Sequence, residues 1–305
     1  MSSPRSNTKT KLLFRGTGTA LVTPFTGKRE VDEKALKRLV DYQITGGVEA
    51  ILPTGTTGES VTLTDDEQER VIEIVVQRAR GRVPIIAGAG SNSTAKAISL
   101  SRRARSAGAD AVLLVAPYYN KPTQEGLFQH FRTIAEAVDV PIVVYNVPGR
   151  TASNIEAETT LRIAEEIPSV AGIKEASGNI AQIMEILRSR VKRFGVWSGD
   201  DAVTLPLVAL GADGVVSVVS NEVPKLFSEM VRLCLAGKFA LALKIHNRLL
   251  SLMNFNFVES NPIPVKAALA AMGFIGEHYR LPMVPLSGKH RPALKRILEN
   301  LDLLD

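Results

Sequence analysis

The chain has 305 residues, 45% of them hydrophobic, with 37 Lys and Arg against 31 Asp and Glu and a formal net charge of +6. Four of the positive charges, Arg5, Lys9, Lys11 and Arg15, stand in an N-terminal stretch without an acid; the rest of the chain carries only about +2, which argues against a dedicated nucleic-acid surface. No apolar run reaches membrane-spanning length, so the composition reads as one large, soluble α/β domain.

Residues 1–15 are expected to form a disordered basic tail. The first ten are rich in Ser, Thr and Asn and lack the apolar core of a signal peptide, so a cytoplasmic chain is expected; a truncated transit peptide is the alternative. The single Cys234 permits no internal disulfide and falls in a helical pattern, as a core thiol in a reducing compartment would.

From residue 16 onward an echo organises the sequence. Gly46-Gly47-Val48-Glu49-Ala50-Ile51, Ala107-Gly108-Ala109-Asp110-Ala111-Val112 and Leu210-Gly211-Ala212-Asp213-Gly214-Val215 each place a Gly after a helical pattern, then an acid, then an apolar strand. The Gly is a helix C-cap that takes the left-handed conformation. Val83-Pro84-Ile85-Ile86 and Val140-Pro141-Ile142-Val143-Val144 enter strands with Pro first, where no ladder donor is lost.

Eight apolar runs result, ending near Val22, Pro53, Ala87, Val115, Tyr145, Lys174, Ser198 and Val218. Amphipathic patterns at residues 32–45, 64–80, 93–107, 123–138, 155–166 and 180–191 alternate with them. Short strands apolar on both faces require a parallel sheet covered by helices. The expectation is a (β/α)8 TIM barrel over residues 16–223 with a C-terminal helical region over 224–305. An open doubly wound sheet is the runner-up.

Barrels of this type carry their chemistry at the C-terminal ends of the strands, and the polar residues fall there. Gly55-Thr56-Thr57-Gly58-Glu59-Ser60 follows the second run, Gly88-Ala89-Gly90-Ser91-Asn92 the third and Pro117-Tyr118-Tyr119-Asn120-Lys121-Pro122 the fourth. Tyr145 and Lys174 close the fifth and sixth, and Ser198-Gly199-Asp200-Asp201 follows the seventh. A Lys closing a buried strand beside a Tyr closing the preceding one suits Schiff-base formation with a keto acid. The attacking amine must be neutral, and burial disfavours the charged form of an amine.

Each motif also has a plainer reading. A strand-end Lys often just reaches solvent, Tyr118 and Tyr119 could be packing or interface aromatics, and Asp200-Asp201 could cap the next helix. Gly55 to Ser60 lacks the Gly-Lys-Ser/Thr of a Walker loop, and Gly88 to Asn92 lacks the third glycine of the dinucleotide fingerprint. No phosphate cup with a pyridine-nitrogen partner points to pyridoxal phosphate. His130, His246, His278 and His290 are scattered, with no pair at ligand spacing. Neither a metal nor a bound cofactor is expected, and carbonyl activation by lysine is favoured.

Across about residues 16–298 the chain resembles the dihydrodipicolinate synthase family, in the pyruvate-dependent class I aldolase superfamily that also contains N-acetylneuraminate lyase. The resemblance rests on Gly55-Thr56-Thr57-Gly58-Glu59, Tyr118-Tyr119-Asn120, Tyr145-Asn146-Val147-Pro148-Gly149-Arg150 and Gly172-Ile173-Lys174-Glu175-Ala176-Ser177. It implies that Lys174 condenses with pyruvate and that the enamine attacks L-aspartate 4-semialdehyde, the 4-hydroxy-tetrahydrodipicolinate synthase reaction of lysine and diaminopimelate biosynthesis. Tyr145, Thr56 and Tyr119 would form the proton relay, Tyr119 reaching in from a neighbouring subunit of a homo-oligomer, often a dimer of dimers. Thr57 would hold the pyruvate carboxylate, Arg150 the semialdehyde carboxylate, and Gly199 and Val216 would line the pocket through backbone groups.

Arg150 also bears on substrate choice. Sugar-acid aldolases and neuraminate lyases, the alternative, accept long polyhydroxylated aldehydes and typically lack an Arg after the Tyr-Asn-x-Pro segment. A non-catalytic relative would be expected to have lost Lys174, Tyr145 or Thr56. Lysine-inhibited members carry histidines and a Glu where this chain has Asp65, Gln68 and Lys96, although Ser60, Asn92 and Tyr118 match. A cation at 96 repels the ligand ammonium, so weak or absent lysine inhibition is expected.

Overall fold

The structure is a computed structural model that describes residues 12–304. Eight parallel strands carry the fold: β1 (Gly16–Ala20), β2 (Ala50–Leu52), β3 (Ile86–Gly88), β4 (Ala111–Val115), β5 (Ile142–Asn146), β6 (Val170–Glu175), β7 (Gly195–Ser198) and β8 (Gly214–Ser217). The ladder runs β2-β1-β8-β7-β6-β5-β4-β3. A parallel bridge between Ile51 and Ile85 joins its two ends, with Ile51 N donating to Pro84 O at 3.1 Å and Gly88 N to Pro53 O at 2.9 Å. The strands therefore follow chain order around a closed ring, which removes the doubly wound alternative, and each apolar run ends within two residues of a strand end.

Helices alternate with the strands: α1 (Glu33–Thr45), α2 (Asp65–Ala79), α3 (Thr94–Ser106), α4 (Gln124–Ala137), the short α5 (Pro148–Thr151), α6 (Ala157–Glu166), α7 (Ile180–Ser189), α8 (Thr204–Ala209) and α9 (Pro224–Leu235). Their starts are chemically marked. Asp32, Ser93, Thr123 and Asn179 accept from backbone N–H groups of the first turn, and Thr64 forms a capping box with Glu67, each cap worth about 1 kcal/mol. Their apolar faces bury Phe128, Phe131, Ile134, Ile163 and Ile186 against the outward residues of β4 to β6. Each such side chain contributes roughly 1.5–3 kcal/mol.

α9 packs on β1, β8, α1 and α8 and completes the ring of helices, so a boundary at Pro224 falls inside the eighth βα unit. Beyond it lie α10 (Phe239–Phe255), α11 (Ile263–Ala271) and α12 (Arg291–Asn300). No helix among the described residues is long and apolar enough to cross a membrane.

The barrel interior is filled, with one element the sequence did not announce. Phe14 lies in the stretch expected to be a disordered tail, yet it is buried and stacks on Trp197 at 4.8 Å between centroids, 13° from parallel. An aromatic side chain next to a barrel entrance gains more from burial than the chain loses on ordering, so the described chain is packed from Leu13 onward. Residues 1–11 of the expected tail lie outside the described residues. Trp197 in turn needs glycine beside it: a β-carbon at Gly195 would lie 2.3 Å from its Cη2, and one at Gly172 would lie 2.6 Å from its Cζ3.

Candidate active site

Parallel strands all end on one face, and register decides which side chains meet there. Tyr145 of β5 pairs with Lys174 of β6, and Lys174 pairs with Trp197 of β7. Both Tyr145 and Lys174 point into the barrel and are buried, and the Lys174 Nζ stands 4.2 Å from the centroid of the Tyr145 ring. In its protonated form the amine would be attracted by the ring quadrupole. Gly199, just past β7, faces the same side chain: a β-carbon there would lie 3.1 Å from Lys174 Cε and 2.6 Å from Ala176 Cβ. The missing side chain leaves the lysine its space.

Tyr145, Thr56 and Arg150 line one cavity of about 440 Å³ at this end of the barrel. Thr56 is half-buried in the loop after β2, whose turn is fixed by Gly58 N donating to Gly55 O at 3.1 Å and Glu59 N to Thr56 O at 3.1 Å. Arg150 is exposed on α5, with Nη2 donating to Asn261 O at 3.5 Å. Thr57 is buried beside the cavity, its Oγ1 accepting from Asn261 Nδ2 at 2.9 Å. Val216 of β8 is buried in the same interior cluster as Tyr145 and Trp197.

Of the expected site residues Thr56, Tyr145 and Arg150 line this cavity, Lys174, Thr57, Gly199 and Val216 do not, and Tyr119 stands apart from all of them. It is 89% exposed on the outer surface of this chain, in the left-handed conformation with φ of 74°, and does not line the cavity. The same cavity extends outward past Ser60, Asp65, Gln68, Lys96 and Tyr118. Lys96 Nζ lies 2.5 Å from Asp65 Oδ2.

Behind the strand ends, buried groups fix the geometry. Glu175 points out of the barrel while Lys174 points in, as the strand period requires. Its carboxylate accepts from Asn146 Nδ2 at 3.0 Å, Gln182 Nε2 at 3.3 Å and Ser177 N at 2.6 Å. Burial raises its pKa, and these donors oppose the rise. Asp201 is buried and does not cap the helix after it. Its Oδ2 accepts from the N–H groups of Val218 and Val219 at 3.0 and 2.8 Å, and burial pushes its pKa up to about 6.

Sequence reading missed Asn261 and Lys266, which approach the Thr56-Thr57 loop from α11 and the turn before it. Lys266 Nζ lies 2.5 Å from Glu59 Oε1. More than 200 residues separate each from its partner, so no local spacing could announce them. A Lys inside the apolar helix Ile263–Ala271 was the available signal, because an unpaired cation is not tolerated there.

The model of the Dihydrodipicolinate synthetase family matches residues 13–301. The chain is 53% identical over 290 residues to the 4-hydroxy-tetrahydrodipicolinate synthase of Chloroherpeton thalassium, covering 95% of this chain and 96% of that one. It is 54% identical over 292 residues to the 4-hydroxy-tetrahydrodipicolinate synthase of Koribacter versatilis, covering 95% and 97%. The crystal structure of dihydrodipicolinate synthase from Thermotoga maritima superposes with a TM-score of 0.94 at 47% identity, over 96% of this chain and 100% of that one. A match that runs from the Phe14 plug through the strand-end lysine to α12 leaves one assignment: the chain belongs to the dihydrodipicolinate synthetase family.

Proposed function

We propose that the chain condenses pyruvate with L-aspartate 4-semialdehyde to 4-hydroxy-tetrahydrodipicolinate, with Lys174 as the nucleophile. One observation supports the residue assignment: Lys174 is the register partner of Tyr145 on the adjacent strand, and Tyr145 lines a cavity together with Thr56 and Arg150. The neutral Lys174 amine adds to C2 of pyruvate and water leaves, giving an imine. Loss of a proton from C3 gives the enamine, whose C3 bonds to the aldehyde carbon of the semialdehyde. The semialdehyde amine then attacks C2, closing the ring and expelling the Lys174 amine.

These steps move protons repeatedly at one carbon and one nitrogen. Tyr145 and Thr56, joined by Tyr119 of the partner subunit, would shuttle them as neutral hydroxyls without setting a fixed charge beside the imine. Thr57 would hold the pyruvate carboxylate through its hydroxyl and backbone N–H, and Arg150 would fork onto the semialdehyde carboxylate. Gly199 and Val216 would border the substrate with backbone groups. The lysine supplies the carbonyl activation, so the reaction needs no bound cofactor. A homo-oligomer, arranged as a dimer of dimers in the cytoplasm, is the assembly we infer from the exposed Tyr119 and the family resemblance.

The test is a coupled assay with pyruvate, aspartate semialdehyde and added dihydrodipicolinate reductase, following NADPH oxidation. Wild-type turnover that is lost in Lys174→Ala is expected, together with a borohydride-trapped pyruvate adduct on Lys174 by mass spectrometry. A folded protein without turnover or adduct would overturn the assignment.

A further inference from the structure

Lys266 has no exposed surface, and its ammonium sits in a closed cage. Glu59 Oε1 lies 2.5 Å away, and the rings of Phe25 and Tyr279 stand 4.3 and 4.9 Å from Nζ. Burial lowers the lysine pKa, and Glu59 opposes that shift. A buried ion pair is a weak source of stability, since apolar residues of the same shape commonly hold a fold as well or better. The geometry around Glu59 offers another reason for the pair.

Glu59 ends the loop that carries Thr56 and Thr57, and it takes the left-handed conformation with φ of 52°. A non-glycine residue keeps such a backbone only where its surroundings hold it there. The hydrogen bonds inside the loop fix the turn itself, and Thr23 Oγ1 donates to Gly58 O at 2.7 Å. The side chain at the loop's end is gripped by Lys266, while five residues earlier Asn261 donates to the Thr57 hydroxyl at 2.9 Å. One short segment thus holds the loop on both sides of Gly58.

We propose that Lys266, acting with Asn261, is a positioning residue that sets the Thr57 hydroxyl and N–H for the carboxylate of the keto acid. The inference rests on the reading of Thr57 as the pyruvate-carboxylate ligand. It makes α11, remote in sequence from every other site residue, the support against which the keto-acid subsite is built.

The decisive variant is the double substitution Glu59→Gln/Lys266→Met, because Lys266→Met alone strands a buried carboxylate. Circular dichroism and thermal melting report its fold, and initial rates report the two substrates separately. The expected result is a folded enzyme that still forms the borohydride adduct at saturating pyruvate. Its KM for pyruvate rises about tenfold or more, with kcat and the semialdehyde KM changed by less than about threefold. Asn261→Ala is expected to raise the same KM with the fold intact.

A folded double variant with the wild-type pyruvate KM, or one in which both KM values rise together, would overturn the proposal. A double variant that does not fold would assign the pair to stability alone, and overturn it equally. Absence of an adduct in the wild type would instead bring down the Schiff-base reading. An unchanged pyruvate KM in Thr57→Val would bring down the carboxylate assignment.

Discussion

Gly199 and Lys174 are in contact across the gap between β6 and β7, so closely that a single methyl on Gly199 would come within 3.1 Å of the lysine Cε and 2.6 Å of Ala176 Cβ. The lysine is buried and its strand is paired on both sides, so it cannot yield by moving its backbone. Gly199→Ala is therefore expected to tilt the amine away from its line of attack. A misplacement of about 1 Å costs on the order of a hundredfold in rate; the 3.1 Å contact asks less of the lysine, so a smaller but measurable loss is expected. Single-turnover adduct formation with pyruvate checks it; a wild-type rate would show that the lysine has more freedom than this packing allows.

The Phe14 and Trp197 stack plugs the barrel from inside. Phe14→Ala removes a ring that is 6% exposed and leaves a hole that the glycine-lined wall around Trp197 has no side chains to fill. The expected loss is about 3–5 kcal/mol, read from urea unfolding. A change below about 1 kcal/mol would mean that the interior collapses around the gap.

How much of this molecule was legible beforehand follows from which interactions are local. Residues 142–146, Ile-Val-Val-Tyr-Asn, are apolar on both faces and read as a buried strand without any structure. Tyr145 and Lys174 could be placed at strand ends for the same reason. Their approach across the ladder was implied by parallel order. The six residues of α8 are too few to show a helical period, so that helix went unread. Asp201 eludes local reading in another way: it stands where a helix cap would, but its partners are the N–H groups of Val218 and Val219, which follow β8. Lys266 and Glu59 are 207 positions apart, and only the closing of the ring brings them together.

Glu67 forms an ion pair with Arg280, Oε1 to Nη2 at 2.5 Å and Oε2 to Nη1 at 2.7 Å. Hydrogen bonding by Arg280 is the main cause that holds its carboxyl at about 2, below its ordinary 4.5. The folded state therefore binds fewer protons than the unfolded chain between these values. The contribution, on the order of 1 kcal/mol for a pair screened by solvent, is present above pH 4.5 and is lost as pH falls toward 2. Glu67→Gln is expected to be less stable than wild type at neutral pH, with a gap that shrinks steadily below about pH 4.5. Urea titrations across that range check it, and a gap independent of pH would count against the pair.

Lys96 and Asp65 close an ion pair at the outer part of the cavity, with Gln68 and Tyr118 beside them. A free amino acid with an ammonium side chain would meet a cation there, and the two acids that line the cavity, Asp65 and Glu59, are already paired with Lys96 and Lys266. The enzyme is expected to keep its full rate in millimolar L-lysine. Inhibition at submillimolar lysine in the coupled assay would show that Asp65 has taken the role of the missing acid.

Tyr119 carries its ring in solvent on a left-handed backbone, with its N–H donating to Thr151 O at 3.2 Å. An exposed aromatic on a strained, pinned backbone is a residue that another surface can bury. If that surface is the cavity of a second copy, the site is shared, and two dead variants must rescue each other. Tyr119→Phe and Lys174→Ala are each expected to have little or no activity alone. In a two-fold dimer of one with the other, one site regains both an intact lysine and an intact tyrosine. The mixed dimer then regains about half of wild-type activity, and an unfractionated random mixture about a quarter. Co-expression with two tags and assay of the doubly tagged species checks it. No rescue in a confirmed mixed dimer would place Tyr119 outside the relay, and the proton path would then run through Tyr145 and Thr56 alone.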